Sequence, residues 1–188
     1  MKDTTVVSRK VAVLGARLAG KSSLISAFVN GSMHDSYDPT IEATFLKTIR
    51  FKSVHFVTDI IDTAGMEEQD SRLSRNASVG VHGYILVFSL VSRQSFELVR
   101  HINAVLLHTL GNVPDVPRVL VGTLQDAESR QVLVKDAEAL AALWGIPYLE
   151  CSSKTGEGIA DVFHTLMREI EKDDGHLEET RDGRCCIA

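Results

Sequence analysis

The sequence predicts an α/β fold: a six-stranded, mostly parallel sheet with helices on both faces. Three observations carry this. Short apolar runs rich in β-branched residues alternate with segments of helical periodicity along the chain. A stretch fitting the P-loop spacing G-x-x-x-x-G-K-[ST], Gly15-Ala16-Arg17-Leu18-Ala19-Gly20-Lys21-Ser22, joins the first such run to the first helix. Each further cluster of distinctive residues falls just after a predicted strand, the edge where doubly wound sheets hold their ligands.

The elements follow in order. Residues 9–14 are a buried strand, and residues 21–30 a helix with Leu24, Ile25, Ala27 and Phe28 apolar, stopped at Asn30-Gly31. A polar stretch covers 31–40. Strand-like runs near 44–51 and 54–61, joined around Lys52-Ser53, read as an antiparallel hairpin. Residues 64–80 are polar and Ser-rich, with weak helical character. The continuous apolar run 83–90 reads as a central strand buried on both faces. Ser92 caps a helix over 93–110 that turns Phe96, Val99, Ile102, Val105 and Leu106 to one side. A strand at 117–121, a helix at 134–144 broken by Gly145 and Pro147, and a strand at 148–151 come next. A last helix at 159–170 buries Ile159, Val162, Phe163, Leu166 and Ile170. The sum is six strands and five helices. From Asp173 the chain turns polar, so the expected organisation is one domain over 1–172 and a flexible tail over 173–188.

Composition bounds the function. A chain of 188 residues, 44% hydrophobic and 24% charged, suits one soluble domain. A net charge of −5 argues against a broad nucleic-acid surface, so no nucleic-acid partner is expected. No signal-peptide core opens the chain, and no apolar run is long enough to span a bilayer. The three cysteines, Cys151 within the domain and the adjacent pair Cys185-Cys186, form no disulfide framework, which fits a reducing, cytoplasmic setting. The seven histidines show no metal-ligand spacing.

The glycine loop sets the chemistry. Backbone N–H groups of such a loop surround a triphosphate, and the following helix aims its positive end at the same anion. Lys21 neutralises the β- and γ-phosphates, and the Ser22 hydroxyl ligates Mg²⁺. Asp62-Thr63-Ala64-Gly65 directly follows a strand. Alone it reads as a helix-capping aspartate with a turn; behind a P-loop, Asp62 holds Mg²⁺ through water and Gly65 offers its N–H to a γ-phosphate. Thr40, in Asp38-Pro39-Thr40, supplies a second hydroxyl to Mg²⁺ from a loop ordered while the γ-phosphate is present.

Together these residues resemble the Ras superfamily of small GTPases over about residues 8–172, and within it the Rheb branch. Tyr37-Asp38-Pro39-Thr40-Ile41-Glu42 is similar to the switch I effector segment, and residues 62–65 to the start of switch II. Cys151-Ser152-Ser153-Lys154 stands where the family contacts guanine. The pointers to the branch are Ser8-Arg9-Lys10, Arg17, Asp35-Ser36-Tyr37 and Gly83-Tyr84-Ile85-Leu86-Val87. The resemblance implies a G domain that binds GTP and GDP with Mg²⁺. Phosphate contacts are implied for residues 15–22 and Ser23, and further nucleotide contacts for Tyr37, Pro39, Thr40 and Gly65. Lys21, Thr40, Gly65 and Met66 take the catalytic positions; Ser22, Thr40 and Asp62 take the metal positions. Implied partners are an exchange factor, a GTPase activator that works without an arginine finger, and an effector at residues 37–42, for which the resemblance suggests a TOR-pathway kinase.

Departures from the family pattern shape the expectation. The family reads guanine with Asn-Lys-x-Asp, whereas this chain has Thr123-Leu124-Gln125-Asp126. Asp126 still accepts from the guanine edge. Thr123 is too short for the paired amide contacts, Leu124 lacks the ammonium, and Met33 replaces the aromatic base-stacker. At about 1 kcal/mol per lost contact, affinity falls roughly 10- to 100-fold, with faster exchange. Met66 occupies the position of the glutamine that orients the attacking water, and a thioether cannot do this. Arg17 either crowds the route an arginine finger would take or points into solvent. Ras itself turns over unaided at about 10⁻⁴ per second, and this chain is expected to be no faster. The alternative is a degenerate GTPase that serves as a non-hydrolysing binding module.

The final Cys185-Cys186-Ile187-Ala188 fits a C-a-a-X box, with a farnesyl thioether expected on Cys185. One lipid chain anchors reversibly, and the acidic tail offers no polybasic second signal. The expected location is the cytoplasm, weakly attached to internal membranes.

Overall fold

The computed structural model describes residues 6–32, 40–51, 54–111, 113 and 115–173. The chain runs β1 (Val6–Gly15), α1 (Lys21–Asn30), β2 (Glu42–Phe51), β3 (Val54–Thr63), β4 (Gly83–Ser89), α2 (Arg93–Thr109), β5 (Arg118–Thr123), α3 (Val134–Trp144), β6 (Tyr148–Glu150) and α4 (Ile159–Asp173). The strands form one sheet in the order β2-β3-β1-β4-β5-β6. Only the β2–β3 hairpin is antiparallel; every other pair is parallel. The G-domain architecture expected from the sequence is present.

Period-two alternation along the central strands divides the core. Val11, Val13, Ile85 and Val87 face α1 and α4, where the Phe28 and Phe163 rings stack with centroids 3.8 Å apart. Ala12, Leu14, Tyr84, Leu86 and Phe88 face α2 and α3. All of β4 is buried, as its unbroken apolar run requires. Ser92 caps α2 by accepting from Ser95 N. α1 ends on Gly31 at φ 73°, a left-handed cap.

Besides shifts of one to three residues at the ends of other elements, two expectations need correction. β1 extends back to Val6 and forward to Gly15, because parallel pairing with β3 begins at Val6 and pairing with β4 continues to Gly15. The five helices become four among the described residues: 64–80 forms turns, not a helix. That stretch buries only Met66 and Ala77 and lacks an apolar stripe that would repay helix nucleation.

The order β2-β3-β1-β4-β5-β6 decides where the chemistry lies. The carboxyl ends of β1, β3, β4 and β5 are adjacent, so the residues following them meet on one rim.

Candidate functional site: a phosphate and cation cradle at the strand ends

β1 ends at Gly15, where a Cβ would collide with the carbonyl of Val87 on β4. The loop then turns through left-handed backbone at Leu18 (φ 62°) and Gly20 (φ 88°) before α1 starts at Lys21. Lys21 is buried, and its Nζ donates to the carbonyls of Ala16 (3.0 Å) and Gly15 (3.3 Å). Burial lowers the Lys21 ammonium to a pKa of about 8, and the nearby Asp62 carboxylate only partly offsets this. At neutral pH Lys21 is therefore a largely dehydrated cation pointed at the loop.

Asp62 sits at the end of β3 and is 2% exposed. Burial pushes its carboxyl up, while the Ser22 hydroxyl, the Lys21 ammonium and the Thr40 hydroxyl pull it down. Asp62 Oδ1 has no hydrogen-bond partner among the described residues. Ser22 Oγ and Thr40 Oγ1 lie 3.0 Å apart. A buried carboxylate oxygen without a partner, beside two converging hydroxyls, is a hard-oxygen donor set suited to Mg²⁺, which keeps water and phosphate as its other ligands. No cluster of three or more His, Cys, Asp or Glu able to hold a metal by itself occurs among the described residues. The residues present fit the ion: protein oxygens supply a few ligands, and a phosphate must supply others.

Gly65 passes so close to the loop that a Cβ on it would lie 2.5 Å from Arg17 Cα. Met66 N donates to the Gly15 carbonyl (3.1 Å), and Ala16 and Met66 form a parallel bridge. The segment after β3 is thus stitched to the loop by backbone. The Met66 side chain is 8% exposed and belongs to the core layer shared with Leu14, Tyr84 and Leu86. Arg17 and Leu18 are exposed on the outer side of the loop.

On the other flank, Thr123 ends β5 with its hydroxyl donating to the carbonyls of Ala19 (2.7 Å) and Phe88 (3.2 Å). It holds the loop to the sheet, a role its short side chain can fill. Leu124 takes left-handed backbone (φ 61°) and is part-exposed. Asp126 Oδ1 accepts from Ser152 Oγ at 2.7 Å, and Gln125 N donates to the Cys151 carbonyl at 3.1 Å. The two segments expected to read the base are therefore joined. Ser153 is half-buried, and Lys154 is exposed beside them. Ser23, in the first turn of α1, is half-buried. Met33, Tyr37, Pro39 and Cys185 lie outside the described residues.

Sequence reasoning missed a clamp behind this flank. Arg130 donates to both oxygens of Glu150 (2.8 and 2.6 Å), and Tyr148 Oη donates to Glu150 Oε1 at 2.6 Å. Hydrogen bonding from Arg130 holds the Glu150 carboxyl below its ordinary range. The position of Glu150, directly before Cys151-Ser152, was the one available hint.

The sequence matches the Ras family over residues 10–172. The chain belongs to that family: it is a small GTPase, a protein that binds GTP and GDP with Mg²⁺ and hydrolyses GTP. Within the family it stands in the Rheb branch. It is 40% identical to the GTP-binding protein rhb1 of Schizosaccharomyces pombe over 97% of each chain. It is 43% identical to the Drosophila melanogaster GTP-binding protein Rheb homolog, covering 91% of this chain and 93% of that one. It is 42% identical to human GTP-binding protein Rheb, covering 89% and 91%.

Proposed function

We propose that the chain is a Rheb-type switch with slow intrinsic hydrolysis and a weakened hold on guanine. One observation carries the reading: the dehydrated Lys21 ammonium and the unpartnered Asp62 oxygen lie at one strand-end rim with the Ser22 and Thr40 hydroxyls. Both charges are costly without a ligand, and a triphosphate with its cation satisfies both. Mg²⁺ bound there neutralises charge on the phosphate oxygens. Lys21 would add a second positive charge, and the Gly65 backbone, packed against Arg17, would offer its N–H to the γ-phosphate.

Slow hydrolysis follows from Met66. Its side chain is packed in the core and has no amide, so it cannot orient water. Weakened base affinity follows from Thr123 and Leu124. The Thr123 hydroxyl is committed to Ala19 and Phe88, and Leu124 has no charge to offer. Asp126, held by Ser152, keeps guanine ahead of adenine.

The partner face is the segment 37–42, of which Ile41 is 89% exposed. An effector there, in the TOR kinase pathway, is part of the reading, as are an exchange factor and an activator working without an arginine finger. Farnesyl on Cys185 gives weak, reversible attachment to internal membranes. Membrane fractionation of a Cys185→Ser variant checks this: loss from the membrane fraction is expected, and unchanged association refutes it.

The central experiment identifies and quantifies the nucleotide bound to the purified full chain, then measures GDP release and single-turnover hydrolysis with Mg²⁺. Guanine nucleotide, release roughly 10- to 100-fold faster than from typical Ras proteins, and hydrolysis below about 10⁻³ per second are expected. Slow Ras-like release or faster hydrolysis overturns the respective half. The second reading, a non-hydrolysing binding module, is favoured by the buried Met66 side chain. Undetectable hydrolysis at full nucleotide occupancy selects it.

A further inference from the structure

Glu42 opens β2 two residues after Thr40, and its carboxylate is gripped by the segment that follows Gly65. Ser74 Oγ donates to Glu42 Oε2 at 2.6 Å, and Asn76 Nδ2 donates to Oε1 at 3.0 Å. Asn76 Oδ1 accepts in turn from Lys10 Nζ at 2.8 Å, and the same ammonium donates to the Val79 carbonyl at 3.1 Å. The turn presenting these donors is fixed from below, since Ala77 is 1% exposed in the α2 layer of the core. Its backbone is closed by Ala77 N donating to Ser74 Oγ (3.2 Å) and Val79 N donating to the Arg75 carbonyl (2.9 Å). One hydroxyl therefore caps the turn and holds the carboxylate.

Thr40 is two residues from that anchor, a span of at most about 7 Å. β2 is an edge strand, and Glu42, opposite Thr63, is its first paired residue. The first pair of an edge strand opens readily without side-chain support. The geometry points to Ser74 and Asn76 as positioning residues. By pinning Glu42 they keep Thr40 over Ser22 and Asp62, so residues 40–42 and the segment after Gly65 move as one unit. The grip is built from neutral donors, with the Lys10 charge reaching it only through Asn76, so it is releasable. Its bearing on the cation rests on the switch reading above.

The test is a Ser74→Ala/Asn76→Ala variant of the full chain. Hydrogen exchange of amides 40–44 is measured on the nucleotide-free protein and with Mg²⁺·GDP. The clasp predicts exchange roughly 3- to 10-fold faster in the variant. It also predicts a similar rise in the free Mg²⁺ needed to half-slow GDP release. Glu42→Ala produces the same shifts at amides 40–44 and adds nothing there to the double variant, because the two bonds to the carboxylate are lost in both. Glu42→Gln keeps an oxygen for Ser74 but sets an amide NH₂ against the Asn76 Nδ2 donor, so it shifts part of the way. Arg72→Ala, an exposed change in the same segment, moves neither readout. Unchanged exchange at 40–44, or effects of Glu42→Ala and the double variant that add, overturns the clasp. If the chain binds no guanine nucleotide, the switch reading fails, while exchange in the nucleotide-free protein still decides the clasp.

Discussion

Lys21, proposed to meet the phosphates, carries a cost of burial in the nucleotide-free protein. Its ordinary pKa of 10.5 falls to about 8 on folding. Between those values the unfolded chain keeps the proton that the folded chain has lost, so the Lys21 contribution to stability rises with pH across that window. The expected rise is up to about 3 kcal/mol. Urea denaturation of the nucleotide-free parent and a Lys21→Met variant, compared from pH 7.5 to 10.5, isolates it; a pH-independent difference is the contrary outcome. Mg²⁺·GDP should flatten the slope, because phosphate keeps the ammonium charged. Tyr84 carries a different burden. It is fully buried, its Oη has no partner among the described residues, and burial pushes its pKa up to about 12. Tyr84→Phe should therefore gain about 1 kcal/mol with an unchanged denaturant slope. A loss of stability would mean the hydroxyl is satisfied.

Between elements, the tie of β1 to α4 is electrostatic as well as apolar. Arg9 Nε and Nη2 both lie 2.9 Å from Glu171 Oε1, the guanidinium sits 5.7 Å from the Phe56 ring centroid, and both side chains are almost wholly buried. Removing one partner leaves a buried charge. Arg9→Met should cost about 3–5 kcal/mol, whereas Arg9→Met with Glu171→Leu should recover most of that. Equal losses for the single and double variants in denaturant melts would rule this account out. The Arg130–Glu150 clamp works the same way between the loop after β5 and β6. Its two short hydrogen bonds hold Glu150, two residues before the Ser152 that donates to Asp126. Glu150→Ala should speed GDP release several-fold with no side chain near the phosphates altered; stopped-flow release with labelled GDP measures it.

For the whole molecule, stability and ligand are linked. Lys21 and Asp62 are a cation and a carboxylate buried at one rim, so a nucleotide bound there as proposed would act as part of the fold. At ligand 100-fold above its dissociation constant the gain is about 2.7 kcal/mol. For a domain of this size that raises the melting midpoint by roughly 5–10 °C. Chelating Mg²⁺ should remove most of the gain, because the Asp62, Ser22 and Thr40 oxygens then lose their common partner. A midpoint indifferent to Mg²⁺·GDP would show that the cradle does not hold it.

How much of this was legible in the sequence depended on whether the signal was local. The loop at residues 15–22, helix α1 at Lys21–Asn30 and the buried strand β4 could be read directly, since spacing, stop signals and apolar runs are properties of neighbours along the chain. The alternation of strands and helices likewise determined the α/β class, while the motif residues at 15–22, 62–65 and 151–154 carried the resemblance to the family. The tertiary structure alone decided which residues far apart in sequence share a contact. It turned Met66 into the core, committed the Thr123 hydroxyl to Ala19, joined Asp126 to Ser152, and set Ser74 and Asn76 on Glu42. It also denied the stretch 64–80 its helix, because that stretch has no apolar stripe to bury and is held instead by contacts with the loop and β2. Local pattern selects elements through backbone geometry and burial. The direction of a side chain, and the partner that satisfies it, are fixed only when the elements pack.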